Sequence, residues 1–389
     1  MIKIMLMVLA IAGQLANGRK NKAYDLSKVT SEFSQRLYRK VALDKGSMVF
    51  SPFSIHSILT LTSLGAYGKT KDEMLKTLGV TSISRASKKY EEVIKQTNSN
   101  KNVDIGTGNA IFVKPESQIK KRFAKEAETK FSATTTNFDL SAPGGPEKAI
   151  NDYIAEATKN LIKKVLSKGS ITASTAMVLV NTIFFNGAWV KNFNDARNQT
   201  FSKSEKKNIT IEMMAKEMEI KHKKDTSNHV QVAEIPFKGR RFALYIALPL
   251  KVGGIASLEQ LISHPTKMEK LFKGLKKKRV FVDIPKFTTE TTLDLKQPLI
   301  ELGMVEAFGP GADFRDISSG SLSISDVLHK AKIEVKEIGV TAAAATVLQA
   351  NTRMLGRQPQ AIFVANHPFL YFLRDRRTGL ILFQGKFSG

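Results

Sequence analysis

The 389-residue chain predicts an α+β fold, on three observations. Segments with helical spacing of apolar residues come mostly first and strand-like segments mostly late, an order that argues against a doubly wound sheet. A composition of 42% hydrophobic and 24% charged residues belongs to a chain that buries a large core and is not disordered. No internal repeat, low-complexity linker or Gly/Ser-rich boundary divides it, although length alone favours two or three domains.

The first helix is expected over 27–43, where Val29, Phe33, Leu37 and Val41 share one face. Residues 49–80, VFSPFSIHSILTLTSLGAYGKTKDEMLKTLGV, read as a strand end, an apolar helix and a capped amphipathic helix. Further helices are expected at 85–97, 117–130 and 146–166. Runs of β-branched and aromatic residues place strands at 175–186, 229–236, 242–249 and 279–287. In AIFVANHPFLYFLRDRRTGLILFQGKF (361–387) apolar runs alternate with turns, and RRTG reads as a hairpin.

Residues 1–18, MIKIMLMVLAIAGQLANG, set Lys3 before an apolar run from Ile4 to Ala12 and small residues at Ala16 and Gly18. That is the pattern of a secretory signal peptide, with cleavage between Ala16 and Arg19, and the run is too short to span a bilayer. The expected mature chain, 19–389, is a secreted, soluble, extracellular monomer with no membrane partner. Zero cysteines excludes a disulfide scaffold, a Cys nucleophile and Cys-ligated metal. Asn198-Gln199-Thr200 and Asn208-Ile209-Thr210 are glycosylation sequons, expected to be used on a secretory route.

An excess of 60 Lys+Arg over 35 Asp+Glu gives a formal net charge of +25, a field that attracts polyanions. The densest runs are Lys276, Lys277, Lys278 and Arg279 with Lys273, and Lys221, Lys223 and Lys224 around His222. On predicted helices, Arg85, Lys88 and Lys89 form one basic group and Lys120, Lys121, Arg122 and Lys125 another; Glu91 and Glu92 weaken the first. Each run is also what a solvated face looks like. A heparin-like sulfated glycosaminoglycan is the expected polyanion, and nucleic acid is not expected as a partner.

Signatures of catalysis are missing. Gly68-Lys69-Thr70 is similar to the end of a P-loop, but the glycine needed five residues earlier is Ser63. No nucleophile elbow or HExxH occurs, and the six histidines show no metal-ligand spacing. Members of a Ser-His-Asp triad need not be adjacent, so the sequence leaves one open. The expectation is a protein that is not an enzyme and holds no metal. One stretch fits none of these classes: EIGVTAAAATVLQANTRML (337–355) carries no proline or charge between Val340 and Thr352. Its alanines prefer helix, whereas Val340, Thr341, Thr346 and Val347 prefer strand.

Several motifs in order make the chain resemble the serpin family, the large serine-protease-inhibitor fold. They are VFSPFSIHSILTLTSLGAYGKT (49–70), NTIFFNGAWVKNF (181–193), FVDIPKF (281–287), LGMVEAF (302–308), ADFRDIS (312–318) and LHKAKIEVKEIG (328–339), followed by HPFLYFLRDRRTGLILFQGKF (367–387). The resemblance runs from about residue 28 to 387. It implies a single domain, 19–389, of three β-sheets with eight or nine helices and an exposed reactive-centre loop at about 338–360. A protease cuts that loop as substrate, and the severed segment then inserts into the largest sheet, carrying the acyl-enzyme with it.

The physics of insertion constrains the loop. A side chain sliding between two strands should be small and uncharged, and proline would remove ladder hydrogen bonds. The hinge implied by the resemblance is Glu337, Gly339, Val340, Thr341, Ala342, Ala343, Ala344 and Ala345. Val340 and Ile338 depart from the family's usual Thr or Ser and acid. Family spacing places the cut fourteen positions after the hinge glycine, at the Arg353–Met354 bond. An arginine there suits a trypsin-like pocket, whose carboxylate pairs bidentately with a guanidinium. Trp189 resembles the family's breach tryptophan, and His329, with Ser51 and Ser54, its shutter, the two places that gate sheet opening. Ser47 in place of a common shutter Asn is expected to loosen the shutter; Tyr153 replaces a common Trp.

The resemblance thus implies a secreted suicide inhibitor of a trypsin-like serine protease that requires no cofactor. Such inhibitors in arthropod haemolymph restrain clip-domain proteases of the Toll and melanisation cascades, and a heparin-like chain is the expected accelerator here, since Arg85, Lys88 and Lys89 lie near the position the family often uses for heparin. The alternative is a non-inhibitory member acting as a carrier or glycosaminoglycan-binding protein. That alternative usually shows proline or charge in the hinge.

Overall fold

A computed structural model describes residues 24–42, 46–340 and 358–389. The signal segment, hinge residues Thr341 and Ala342–Ala345, and the Arg353–Met354 bond lie outside them. Asp25 caps α1 (Leu26–Val41) by accepting from the Lys28 N–H at 3.0 Å. After β1 (Met48–Phe50), Ser51 caps α2 (Pro52–Leu64), with Pro52 at its first position and nearly every residue buried. Buried all round, α2 is a central helix that packs behind the sheet strand β4 (Met177–Ala188). Next come α3 (Gly68–Leu78), α4 (Ile83–Asn98) and α5 (Lys121–Phe131), with β2 (Val103–Val113) and β3 (Ala133–Asn137) between and after them.

Two predicted helices are shorter than their apolar spacing suggests. The N-terminal residues of the 117–130 prediction are held extended by an Ile119–Ser318 bridge and a Lys120 N–H to Ile317 O bond. The predicted 146–166 helix is α6 (Pro146–Ala157). There the Thr158 hydroxyl bonds the Ile154 carbonyl and accepts from the Ile162 N–H, and Lys159 and Asn160 turn left-handed at φ 52° and 60°. Side-chain competition for the backbone ended the helix.

The remaining strands are β5 (Arg197–Ser204), β6 (Lys207–Asp225), β7 (Val230–Pro236), β8 (Phe242–Pro249), β9 (Lys276–Pro285), β10 (Phe287–Asp294), β11 (Ile324–Val335), β12 (Gly339–Val340), β13 (Ala361–Val364), β14 (Phe369–Asp375) and β15 (Ile381–Phe387). Three short helices complete the described residues: α7 (Ile255–Ile262), α8 (Pro265–Leu271) and α9 (Lys296–Glu301). Nine α-helices therefore stand among the described residues, and the α+β reading holds. The six-stranded sheet runs β10-β11-β12-β4-β2-β3. The second runs β1-β15-β14-β8-β7-β6-β9-β13 with β5 on β6. The long β6 pairs with β5, β9 and β7 along its length, which joins two of the three expected sheets into one continuous ladder.

The six-stranded sheet is covered on both faces. A small core of Phe112, Phe138, Ile150, Ile154, Val178 and Val180 seats α6 on one side, and the main core, including α2, lies on the other. Burial on both faces explains why β4 reads as a continuous apolar run.

Candidate functional site: the hinge and the seam beneath it

The root of the predicted hinge is already part of the sheet. β11 ends at Val335, and a tight turn follows in which Lys336 N–H donates to Gly339 O at 2.8 Å and Gly339 N–H to Lys336 O at 3.1 Å. The chain returns as β12 between β11 and β4, antiparallel to both, with Val340 opposite Val335 and Gly187 and Gly339 opposite Ala188. Val340 is fully buried. Glycine at 339 follows from close approach: a Cβ there would stand 2.2 Å from the Gly187 carbonyl oxygen and 2.6 Å from the Ala188 Cα.

Segment 189–193 holds this turn. Trp189 N–H donates to Ile338 O and Phe193 N–H to Glu337 O, each at 2.9 Å, and Trp189 Nε1–H donates to Lys336 O at 2.8 Å. The indole is buried and stacked on Phe237, ring centres 4.4 Å apart. Glu337 pairs with Lys286 at 3.2 Å, and that bond raises the lysine pKa above its ordinary value. Lys286 was not singled out in the sequence.

Below β12 the strands β4 and β11 pair directly and in parallel, Met177–Ile183 against Ile324–Ala331. At the centre of that seam His329 lies opposite Asn181. His329 Nε2 accepts from the Ser51 N–H at 3.0 Å, so Nδ1 carries the proton and donates to Asn181 Oδ1 at 2.6 Å. Ser54 Oγ–H donates to the same oxygen at 2.6 Å, and Asn181 Nδ2–H reaches Asn109 Oδ1. Every member is buried, and burial pushes the His329 pKa down to about 3. Asn181 and Asn109 complete a network of which the sequence reading named only the histidine and serines. The signal was present: an asparagine inside the apolar run VLVNTIFF has to find buried partners.

Ser47 is not part of this network. Its Oγ accepts from the Ser388 N–H at 2.9 Å near the C-terminus, so the expected loosening of the shutter has no geometric basis. Tyr153 also lies elsewhere, on α6, bonded to Thr134 Oγ1 and edge-on to Phe112.

The basic groups divide into free and paired. Lys223 is only 17% exposed and donates to the carbonyls of Lys270 and Lys273 at the end of α8, which removes it as a polyanion contact. Lys277 pairs with Glu219, Arg279 with Glu217, Lys273 with Glu269, Lys89 with Glu92 and Arg122 with Glu126. Among the described residues, Arg85, Lys88, Lys120, Lys121, Lys125, Lys221, Lys224 and Lys276 form no ion pair within 4 Å and are exposed, and Lys278, also outside any ion pair, is half-buried. Asn198 and Asn208 are exposed on the β5–β6 hairpin, where Ser202 opposes Asn208 and Asn198 opposes Glu212, so both fall on one face.

A family model described as serpin, serine protease inhibitor, matches residues 28–389. Two silkworm (Bombyx mori) proteins are similar along nearly their whole length. Antichymotrypsin-2 is 31% identical, over 91% of this chain and 96% of its own, and antitrypsin 30% identical, over 99% and 98%. Among solved structures, Serpin48 of the insect Tenebrio molitor superposes with a TM-score of 0.85 at 29% identity, covering 96% of this chain and 99% of that one. Native protease nexin-1 with heparin does so with a TM-score of 0.82 at 28% identity, covering 94% and 99%. With its motifs in order, its hinge strand between β4 and β11 and matches of this extent, the chain belongs to the serpin family.

Proposed function

We propose that the protein is a secreted suicide-substrate inhibitor of a trypsin-like serine protease, cut at Arg353–Met354 and trapping the enzyme by insertion of its loop. The observation that carries this reading is β12: two residues that already run antiparallel to both β4 and β11 at the mouth of their seam. Parallel pairs are less stable per residue than antiparallel ones. A strand that extends β12 exchanges one parallel ladder for two antiparallel ones, and a cut loop is free to make that exchange.

Continuing the register of β12 puts Ala342, Ala344 and Thr346 on the buried face of Val340 and brings Thr346 between Asn181 and His329. Insertion must therefore part the shutter hydrogen bond. About 14 residues at roughly 3.3 Å each carry the acyl-enzyme on the order of 45 Å. The pH-7 charge and the unpaired lysines of α4 and α5 support a heparin-like polyanion as an accelerator. The silkworm relatives and the N-terminal pattern support action in haemolymph, on a clip-domain protease of a Toll or melanisation cascade.

Mixing the protein with trypsin tests the core of this reading. A covalent band on a denaturing gel and a released fragment that starts at Met354 are expected. Plain cleavage, or a fragment starting at Gln358, sinks it. Arg353→Glu is expected to abolish trypsin inhibition, because a carboxylate would face a carboxylate in a desolvated pocket. Binding to heparin that salt does not weaken would count against the polyanion contacts.

A further inference from the structure

Beside the segment that holds the hinge, a small pocket of about 70 Å³ opens between β6, β7 and residues 190–191. Its walls include Val190, Ile220, Ile235 and Pro236, and Lys191, Arg240, Lys277 and Glu219 stand around it. Glu219 pairs with Lys277 at 2.7 Å, but both side chains are more than half exposed, at 57% and 63%, so the pair exchanges partners readily. Lys191 and Arg240 form no side-chain hydrogen bond or ion pair among the described residues, yet both act on the Glu219 carboxylate. Arg240 is held in the left-handed region at φ 55°, by its own N–H to Phe237 O and by Arg376 Nη1 donating to its carbonyl at 2.6 Å. The result is three cations to one carboxylate around a cavity whose lining is part polar and part apolar.

The apolar wall is tied to the hinge. Val190 N–H donates to Pro236 O at 3.1 Å, while the preceding Trp189 carries two of the bonds to Lys336 and Ile338. Whatever fills the pocket lined by Val190 and Pro236 stiffens the segment on which the hinge turn hangs.

We propose that this pocket binds an aliphatic carboxylate, with its head group between Lys191 and Arg240 and its first methylenes against Val190, Ile235 and Pro236, and that occupancy slows entry of the hinge into the seam. One water needs about 10–15 Å³ of such space, so 70 Å³ holds a head group and a short stem. Affinity is therefore expected to rise about fourfold per added methylene, the gain expected for one buried CH₂, and then level off while the rest of a longer tail stays in solvent. The second half of the proposal rests on the inhibitor reading; the first does not.

Trp189, the only tryptophan of the chain, immediately precedes Val190 of the pocket wall and reports on that segment by its own fluorescence. The test titrates acetate, butyrate, octanoate and 1-butanol at constant ionic strength. A saturable change with butyrate is expected, weaker with acetate, little stronger with octanoate, and absent with 1-butanol. Lys191→Ala and Arg240→Asn, the latter chosen because Asn tolerates a left-handed backbone, are each expected to weaken binding about tenfold or more. No saturable change with any carboxylate, or equal binding by both variants, overturns the site. Saturating butyrate is expected to slow covalent complex formation with trypsin. Binding with an unchanged rate overturns the regulatory half alone, and absence of any covalent complex strikes the inhibitor reading and leaves the fluorescence result standing.

Discussion

At the top of the six-stranded sheet β4 and β11 are already separated by β12, whereas halfway down they pair directly. The two places are held by different chemistry. The turn at the top hangs on backbone groups and one indole: Trp189 and Phe193 donate to the carbonyls of residues 336–338, and a glycine lets the strands approach. The middle is held by side chains, with His329, Asn181, Asn109 and Ser54 closing a buried network around three strands, β2, β4 and β11, and α2. Main-chain donors and acceptors lie in every residue, so a newcomer strand can replace what it displaces. A buried imidazole–amide contact has no such substitute, and parting it leaves polar groups unsatisfied. On the inhibitor reading proposed above, the sheet would open from the top and resist at the centre.

The contrast breaks most visibly in a pair of truncations. Trp189→Ala removes a fully buried ring and its carbonyl bond and is expected to cost about 3–5 kcal/mol in a denaturant titration. Asn181→Ala strands Ser54 Oγ, the His329 Nδ1–H and Asn109 in the interior and is expected to cost about 2–3 kcal/mol. Only the second is expected to speed the loss of inhibitory activity on standing, as uncut loop enters an unguarded seam. If Trp189→Ala proves the faster to inactivate, the centre is not the barrier.

Acid sharpens the comparison. Burial pushes His329 to about 3, and it pushes His56, on α2 away from the seam, to about 4. His56 Nε2–H donates to Leu78 O and Nδ1 accepts from Tyr90 Oη–H, so both rings are held neutral. In an unfolded chain a histidine titrates near 6.5. Because the folded values lie below that, protons prefer the unfolded state: stability is complete above about pH 6.5 and falls as the pH drops toward 4, by at most about 1.4 kcal/mol per unit for each group. His329→Gln and His56→Gln are each expected to reduce the slope of unfolding free energy against pH by up to about 1.4 kcal/mol per unit, with His222, His367 and the paired carboxylates supplying the rest. A slope unchanged by His329→Gln would remove the seam from the account.

The smallest effect is expected at the top again. Glu337→Gln breaks a pair whose members are 22% and 32% exposed, and a loss of about 0–1 kcal/mol is expected by thermal or chemical denaturation. A larger loss would mean that the hinge turn depends on charge and not on the backbone bonds of segment 189–193.

Much of the fold was legible because it is local. The single-face spacing of Val29, Phe33, Leu37 and Val41, the Ser51-Pro52 start of α2 and the short, continuous apolar run of β8 each specify an element without reference to distant residues. Motif order supplied the family, the family resemblance implied the insertion reading, and the small, uncharged run after Gly339 is consistent with it; its residues from Thr341 onward lie outside the described structure. Helix ends were less legible, since Thr158 decides the end of α6 through a bond to a residue beyond the helix.

The sequence by itself determined most elements and the family, because periodicity and motif spacing are properties of short stretches. Only the tertiary structure decided who partners whom. His329 and Asn181 are 148 residues apart, Trp189 and Lys336 are 147, and neither contact exists until β11 is laid beside β4. The same holds for Lys223, a polyanion candidate in the sequence that the fold turns into a cap for α8, and for Ser47, which serves the C-terminus and not the shutter. A buried polar group has to be satisfied, but which distant group satisfies it is set by strand order and register, and those emerge from packing the whole chain at once.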